Sequence, residues 1–222
     1  MSQIHPWENR WREGKIGFHL PSIHPILLRH GGPALWQEKS RILVPLCGKS
    51  LDLRALPEFG YQVTGIEAVP AAVQAFFGEA KIEPTVTDVA PGKRFEHKNL
   101  SIWQGDVFAY PAEPAAFDGI WDRAALIALE AEHRPAYAAR MMRLLRPEGK
   151  MLLVSMHYDQ ARMQGPPWSV SDEEVKQLYG PYGRLDLVET VEVLGSNPRF
   201  LESGLSAVTE SVWILSRNAA PA

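Results

Sequence analysis

The sequence predicts an α/β protein: a doubly wound, mostly parallel sheet with an N-terminal flap and a C-terminal antiparallel strand pair. Three observations lead there. Short apolar runs alternate with helical stretches from Arg41 onward, the pattern of a sheet wound by crossover helices. The first run, RILVP at 41–45, leads into a turn with one glycine, Gly48, and then a helix. The second run, YQVTGIE at 61–67, ends in Glu67, 19 residues beyond that glycine. Dinucleotide-type folds place a ribose-binding acid at that distance.

The elements follow in order. Residues 1–35 are rich in Trp, His and Pro without a clean period, and form the flap or cap. The core is expected over 40–217, and the whole chain, 1–222, reads as one domain. After the strand at 41–44, Ser50 suits the cap of a helix at 50–59, with Asp52 in its first turn. PAAVQAFFGEA (70–80) is the next helix. LSIWQGD (100–106) and FDGIWD (117–122) are the third and fourth strands. RPAYAARMMRLL (134–145) is a helix with Pro135 at its N1 position and Gly149 past its end. KMLLVSM (150–156) is the fifth strand. MQGPPWSVSDEEV (163–175) carries adjacent prolines and then a capped helix start, as in a surface loop or lid. DLVETVEVLG (186–195) and AVTESVWILSR (207–217) are the last two strands, joined by 196–206, a span that permits an antiparallel pair.

Composition excludes several functions. A net charge of −3 over 222 residues leaves no electrostatic footprint for nucleic acid or an anionic membrane. One cysteine forbids an internal disulfide and fits a reducing compartment. No apolar run reaches membrane-spanning length, and the N-terminal stretch lacks the apolar core of a signal peptide. A soluble cytoplasmic protein is expected. The Gly48-Lys49-Ser50 triplet imitates a P-loop, but the glycine required five residues earlier is Leu43, and Pro45 has no N–H to wrap a phosphate. The seven histidines form no HExxH and no paired zinc spacing, so no metal site is expected. Cys47 reads as a small buried thiol, since no base pairs with it in sequence.

Four places could carry chemistry. Glu67 suits the ribose hydroxyls of a nucleotide-like ligand above the Gly48 turn; the alternative is a surface acid at a strand end. Asp106 could face the adenine side of the crevice or cap a helix after Gly105, and both readings stand. Arg123, at the mouth of the fourth strand, could stabilise an anionic substrate group or pair structurally with Asp122 or Glu67. Spacing alone favours the ion pair. Trp7, Trp11, Phe18 and His19 form either a flap that closes on a cation or a plug in the core; Gly14 and Gly17 tilt the choice towards the flap.

Taken together, WENRW (7–11), IGFH (16–19), LVPLCGKSLDL (43–53), VTGIE (63–67), QGDVF (104–108), WDRAALIAL (121–129), GPPWSVSDEEV (165–175) and NPRFLESG (197–204) closely resemble the bacterial thiopurine S-methyltransferases, over roughly residues 5–217. The resemblance implies a seven-stranded class I methyltransferase fold with S-adenosylmethionine as donor. The PLCGKS turn stands in for the usual Gly-x-Gly loop, which explains its likeness to a P-loop. The resemblance places donor contacts at Trp11, Leu46, Glu67 and Arg123, with Arg123 near both donor and acceptor. Leu46 is singled out by the resemblance only. Ala68 replaces a leucine common among relatives, and the carboxylate before it is retained. The acceptor implied is a small thiol, a thiopurine, or a selenium or tellurium compound, in a pocket closed by Trp11 and Phe18 beside His19. A monomer is implied as well. A soft thiolate needs no strong base, so positioning and exclusion of water are expected to carry the reaction. Two other readings compete: an NAD-dependent oxidoreductase, disfavoured by the missing Gly-x-Gly-x-x-Gly, and a module that binds the donor without turnover.

Overall fold

The computed structural model describes residues 4–219, with side chains from Pro6 onward. The ends of the expected 1–222 domain lie outside the described residues. Contacts gather the chain into two units, Met1–Glu113 and Pro114–Ala222.

In the first unit, α1 (Ile4–Arg12) closes with Arg10 and Arg12 in its last turn, which suits the negative end of the helix dipole. Gly14, at φ +68, then turns the chain. α2 (Pro25–His30) starts on a proline and is capped by His24, which accepts the Ile26 N–H. β1 (Arg41–Val44) is buried beyond its first residue. α3 (Asp52–Glu58) is shorter than expected. Ser50 still accepts the Asp52 N–H at 3.2 Å, and Asp52 in turn accepts the His24 N–H at 2.8 Å. The unit continues through β2 (Gln62–Glu67), α4 (Pro70–Ala80), β3 (Thr85–Val89), β4 (Gly92–His97) and β5 (Leu100–Gln104). Its strand order is β3-β4-β5-β2-β1. β1, β2 and β5 run parallel, while β3 and β4 form an antiparallel hairpin that adds to β5.

The second unit contains β6 (Phe117–Arg123), α5 (Arg134–Leu144), β7 (Leu145–His157), α6 (Asp172–Tyr179), β8 (Gly183–Glu192), α7 (Pro198–Glu202) and β9 (Thr209–Arg217). Its order is β6-β7-β9-β8. β6 and β7 are parallel, and β9 runs antiparallel to both β7 and β8. Trp121, Tyr137, Tyr179 and Trp213 fill its core with almost no exposure.

The α/β class and the terminal antiparallel pair are as expected, but the strands are nine among the described residues, not seven. Pairing is mixed rather than mostly parallel. The extra strands are the β3–β4 hairpin. Thr85 to Asp88 are exposed, so no apolar alternation marks them in the sequence. Two local expectations also shift. Pro135 is the second residue of α5, and Gly149 lies inside β7. A Cβ there would meet Leu145 and the Arg146 carbonyl under 3.0 Å, so Gly149 serves close packing rather than a helix stop.

Candidate active site

The turn after β1 is built from two left-handed residues, Leu46 (φ +46) and Gly48 (φ +53). Glu67, at the carboxyl end of β2, holds that turn. Its Oε2 accepts the Gly48 N–H at 2.7 Å and its Oε1 accepts the Val69 N–H at 2.7 Å. The Glu67 carbonyl accepts the Gly105 N–H, and Cys47 N–H reaches the Ile66 carbonyl. One acid therefore ties together the chain ends after β1, β2 and β5. Burial raises the Glu67 pKa above the usual carboxylate value, and N–H groups of Val69, Gly48 and Ala68 pull it back. Each carboxylate oxygen has a second lone-pair direction that a ligand hydroxyl can use.

Aromatic edges lie over this turn. A Cβ at Gly48 would come within 3.3 Å of Trp11 and 3.6 Å of Phe18. The Trp11 and Phe18 ring centroids are 5.9 Å apart and edge-on, and Trp7 meets Phe18 at 5.7 Å. The Arg10 guanidinium sits over Trp7. Trp7, Trp11, Phe18 and His19 are half-buried, and the Trp11 and Phe18 rings lie over the turn. His19 shares the Phe18 loop, where its N–H donates to the Ile16 carbonyl. Lys49 is turned to Glu79, at 2.6 Å, and not to a phosphate site. Asp106 makes the helix cap foreseen as one of its two readings, accepting the Phe108 N–H at 3.0 Å.

The other predicted site residue, Arg123, belongs to the second unit. It is half-buried at the carboxyl end of β6. Its neighbour Asp122 is fully buried and accepts the Tyr137 hydroxyl at 2.6 Å and the Leu126 N–H at 3.2 Å. Burial pushes the Asp122 carboxyl up to about 6. On β9, burial raises the Glu210 carboxyl while the Arg123 guanidinium lowers it. Sequence reasoning missed Glu210, Tyr137, Arg134 and Arg199. Of these, Arg199 ties down the Gly-Pro-Pro loop, and Tyr158 and Trp168 add to it. Arg199 donates to the Pro166 and Gln164 carbonyls, Tyr158 to the Pro167 carbonyl, and Trp168 N–H to the Ile127 carbonyl. The sequence distance to their partners hid Glu210, Tyr137, Arg134 and Arg199.

Glu130, Glu132 and His133 bring three possible ligand atoms within 4.8 Å on a solvent-facing turn, an arrangement common without an ion. Among the described residues no helix is long and apolar enough to cross a membrane.

The model of the family described as Thiopurine S-methyltransferase (TPMT) matches residues 2–218. A thiopurine S-methyltransferase of Pseudomonas fluorescens is 40% identical over 210 residues, 94% of this chain and 96% of the relative. One of Pseudomonas aeruginosa is 42% identical over 212 residues, 95% and 97% of the two chains. Among solved structures, a Burkholderia thailandensis 1,6-didemethyltoxoflavin-N1-methyltransferase with bound 1,6-didemethyltoxoflavin and S-adenosylhomocysteine superposes with a TM-score of 0.59 at 16% identity, covering 96% of this chain and 86% of that one. An arsenic(III) S-adenosylmethionine methyltransferase of Chlamydomonas reinhardtii gives 0.61 at 16% identity, covering 82% and 64%. At such identities these two likenesses establish the shared fold.

Proposed function

The chain belongs to the thiopurine S-methyltransferase family and is an S-adenosylmethionine-dependent methyltransferase acting on a small molecule, and from that premise we propose that it methylates the sulfur of a small thiol. The NAD-dependent alternative falls with the family assignment. The observation that carries the site reading is the Gly48 turn held by Glu67 beneath the edges of Trp11 and Phe18.

S-adenosylmethionine supplies an electrophilic methyl group on a sulfonium. The residues fit such a donor. Any side chain at Gly48 would fill the space against Trp11, so the bare backbone leaves room for close approach. The buried Glu67 carboxylate suits the ribose hydroxyls. Trp11 offers an aromatic surface to a cation. Leu46 contributes its backbone, and Asp106 the adenine side. Arg123 stabilises the acceptor as its thiolate, and an ordinary thiol needs only modest help to ionise near neutral pH. Phe18 and His19 shield the acceptor side from water. Aromatic or heterocyclic thiols, thiopurines included, are the acceptor class, with selenium or tellurium compounds next. The protein acts as a cytoplasmic monomer.

The test is calorimetric titration with S-adenosylmethionine and S-adenosylhomocysteine, followed by methyl transfer to 6-mercaptopurine in the same sample. Binding with turnover supports the reading. Binding without turnover removes the thiopurine-like acceptor, and failure to bind removes the Gly48–Glu67 assignment. Arg123→Ala is expected to lower kcat by about two orders of magnitude, the scale of a lost charge-stabilising group, with a smaller loss of donor affinity. Loss of donor binding with normal single-turnover chemistry would reverse that division of labour.

A further inference from the structure

We propose that Asp122 and Tyr137 form a buried positioning pair that sets the turn from which Arg123 works. The proposal rests on the catalytic reading of Arg123 given above. β6 ends at Arg123, and the next residue, Ala124, has φ +62. A side chain bearing a Cβ resists that left-handed conformation, so surrounding contacts must hold it.

Asp122 supplies those contacts from beneath. One carboxylate oxygen accepts the Leu126 N–H across four residues, at 3.2 Å. The Ala125 N–H donates to the same carboxylate. The second oxygen accepts the Tyr137 hydroxyl at 2.6 Å. Tyr137 stands on α5 and is fully buried, so the far end of the clamp is anchored in the helix layer. The backbone on either side of Arg123 is thus closed between a strand and a helix, and the guanidinium leaves from a fixed base.

The groups facing Asp122 are the Ala125 and Leu126 N–H groups of its own turn, Tyr137 from α5, and Tyr179 from α6. The Tyr179 hydroxyl is buried without a hydrogen-bond partner, and Tyr182 lies beyond it. These donors are neutral. Glu210 of β9 acts on Arg123 rather than on Asp122. With burial holding the Asp122 carboxyl up at about 6, acidification through that value protonates an oxygen that has to accept, and loosens the turn.

The test uses the full chain with Tyr137→Phe, Asp122→Asn and Arg123→Ala. Donor affinity is read by calorimetry, and kcat and KM with 6-mercaptopurine across the pH range around 6. Tyr137→Phe is expected to lower kcat about tenfold while donor affinity holds, and to move the acid limb of the kcat profile upward, because the lost hydrogen bond no longer favours the ionised acid. Asp122→Asn is expected to abolish that acid limb. On the Arg123→Ala background neither change should lower kcat further, since the effect travels through Arg123. A purely structural pair would shift the melting temperature and leave the pH profile where it was. A folded Tyr137→Phe protein with unchanged kcat and profile overturns the proposal, as does an equal loss on the Arg123→Ala background. If Arg123→Ala itself keeps full kcat, the catalytic reading of Arg123 falls and takes this proposal with it. Tyr137→Phe removes a single hydroxyl, so it decides the matter even where Asp122→Asn does not fold.

Discussion

Both carboxylate oxygens of Glu67 accept a backbone N–H before any ligand arrives. Glu67→Ala is therefore expected to do two things. Donor binding should vanish in calorimetry, and stability should fall by roughly 1–3 kcal/mol for each N–H left without an acceptor. A variant that melts lower yet binds the donor as before would show that the acid only builds the turn. Asp122 carries a pH-dependent consequence. Its pKa rises from 3.8 to about 6 on folding, so the folded state holds the proton more tightly than the unfolded chain. The resulting stabilisation is complete below 3.8 and is lost as pH rises through about 6. Asp122→Asn cannot ionise, so its melting temperature relative to the unsubstituted protein should climb between about pH 4 and pH 7. A flat difference in thermal melts over that range would contradict this. Glu67 and Gly48 are legible in sequence because their separation follows from the length of one strand–helix–strand passage. Leu46 and Tyr137 are not. The left-handed backbone at Leu46 leaves no mark on a leucine, and Tyr137 meets Asp122 only after a helix folds back on β6.

Elements framed by proline and caps were the easiest to foresee. α4 starts at Pro70 and ends at Ala80 as expected, and Ser171 caps α6 by accepting the Glu174 N–H. The β3–β4 hairpin stayed hidden because a solvent-facing edge needs no apolar face. The attachment of α6 was hidden for a different reason. Arg134 at the start of α5 is 3% exposed and donates to the Leu129 and Ser169 carbonyls and to both oxygens of Glu174 at 2.8 Å. Charged residues of that kind read in sequence as a solvated face. Arg134→Ala should cost about 3 kcal/mol, the lower end for a broken buried pair, because the Glu174 side chain is 28% exposed and can turn to water. Denaturant titration reads the loss. Limited proteolysis should then cut between 158 and 171, where the released Ser169 carbonyl lies. A stable, protease-resistant variant would mean that the other ties of this loop suffice.

At the level of the whole molecule, the family match from 2 to 218 runs through both units, and the weak net charge of −3 suits an enzyme whose partner is small. The overall class was legible because crossover helices and apolar strands repeat along the chain, whereas strand number depended on the exposed hairpin. The chain also contains one cysteine in 222 residues. Cys47 is buried beside the Gly48 turn, and burial together with the nearby Glu67 holds its thiol far above the ordinary range. An alkyl-transferring catalyst always stands next to its own reagent. Here the one thiol in the chain is buried and held in its protonated form, which disfavours its alkylation. Iodoacetamide should leave the native protein at its unmodified mass and add one label per chain after denaturation; labelling of the native form would mean that the turn opens often enough for the enzyme to inactivate itself.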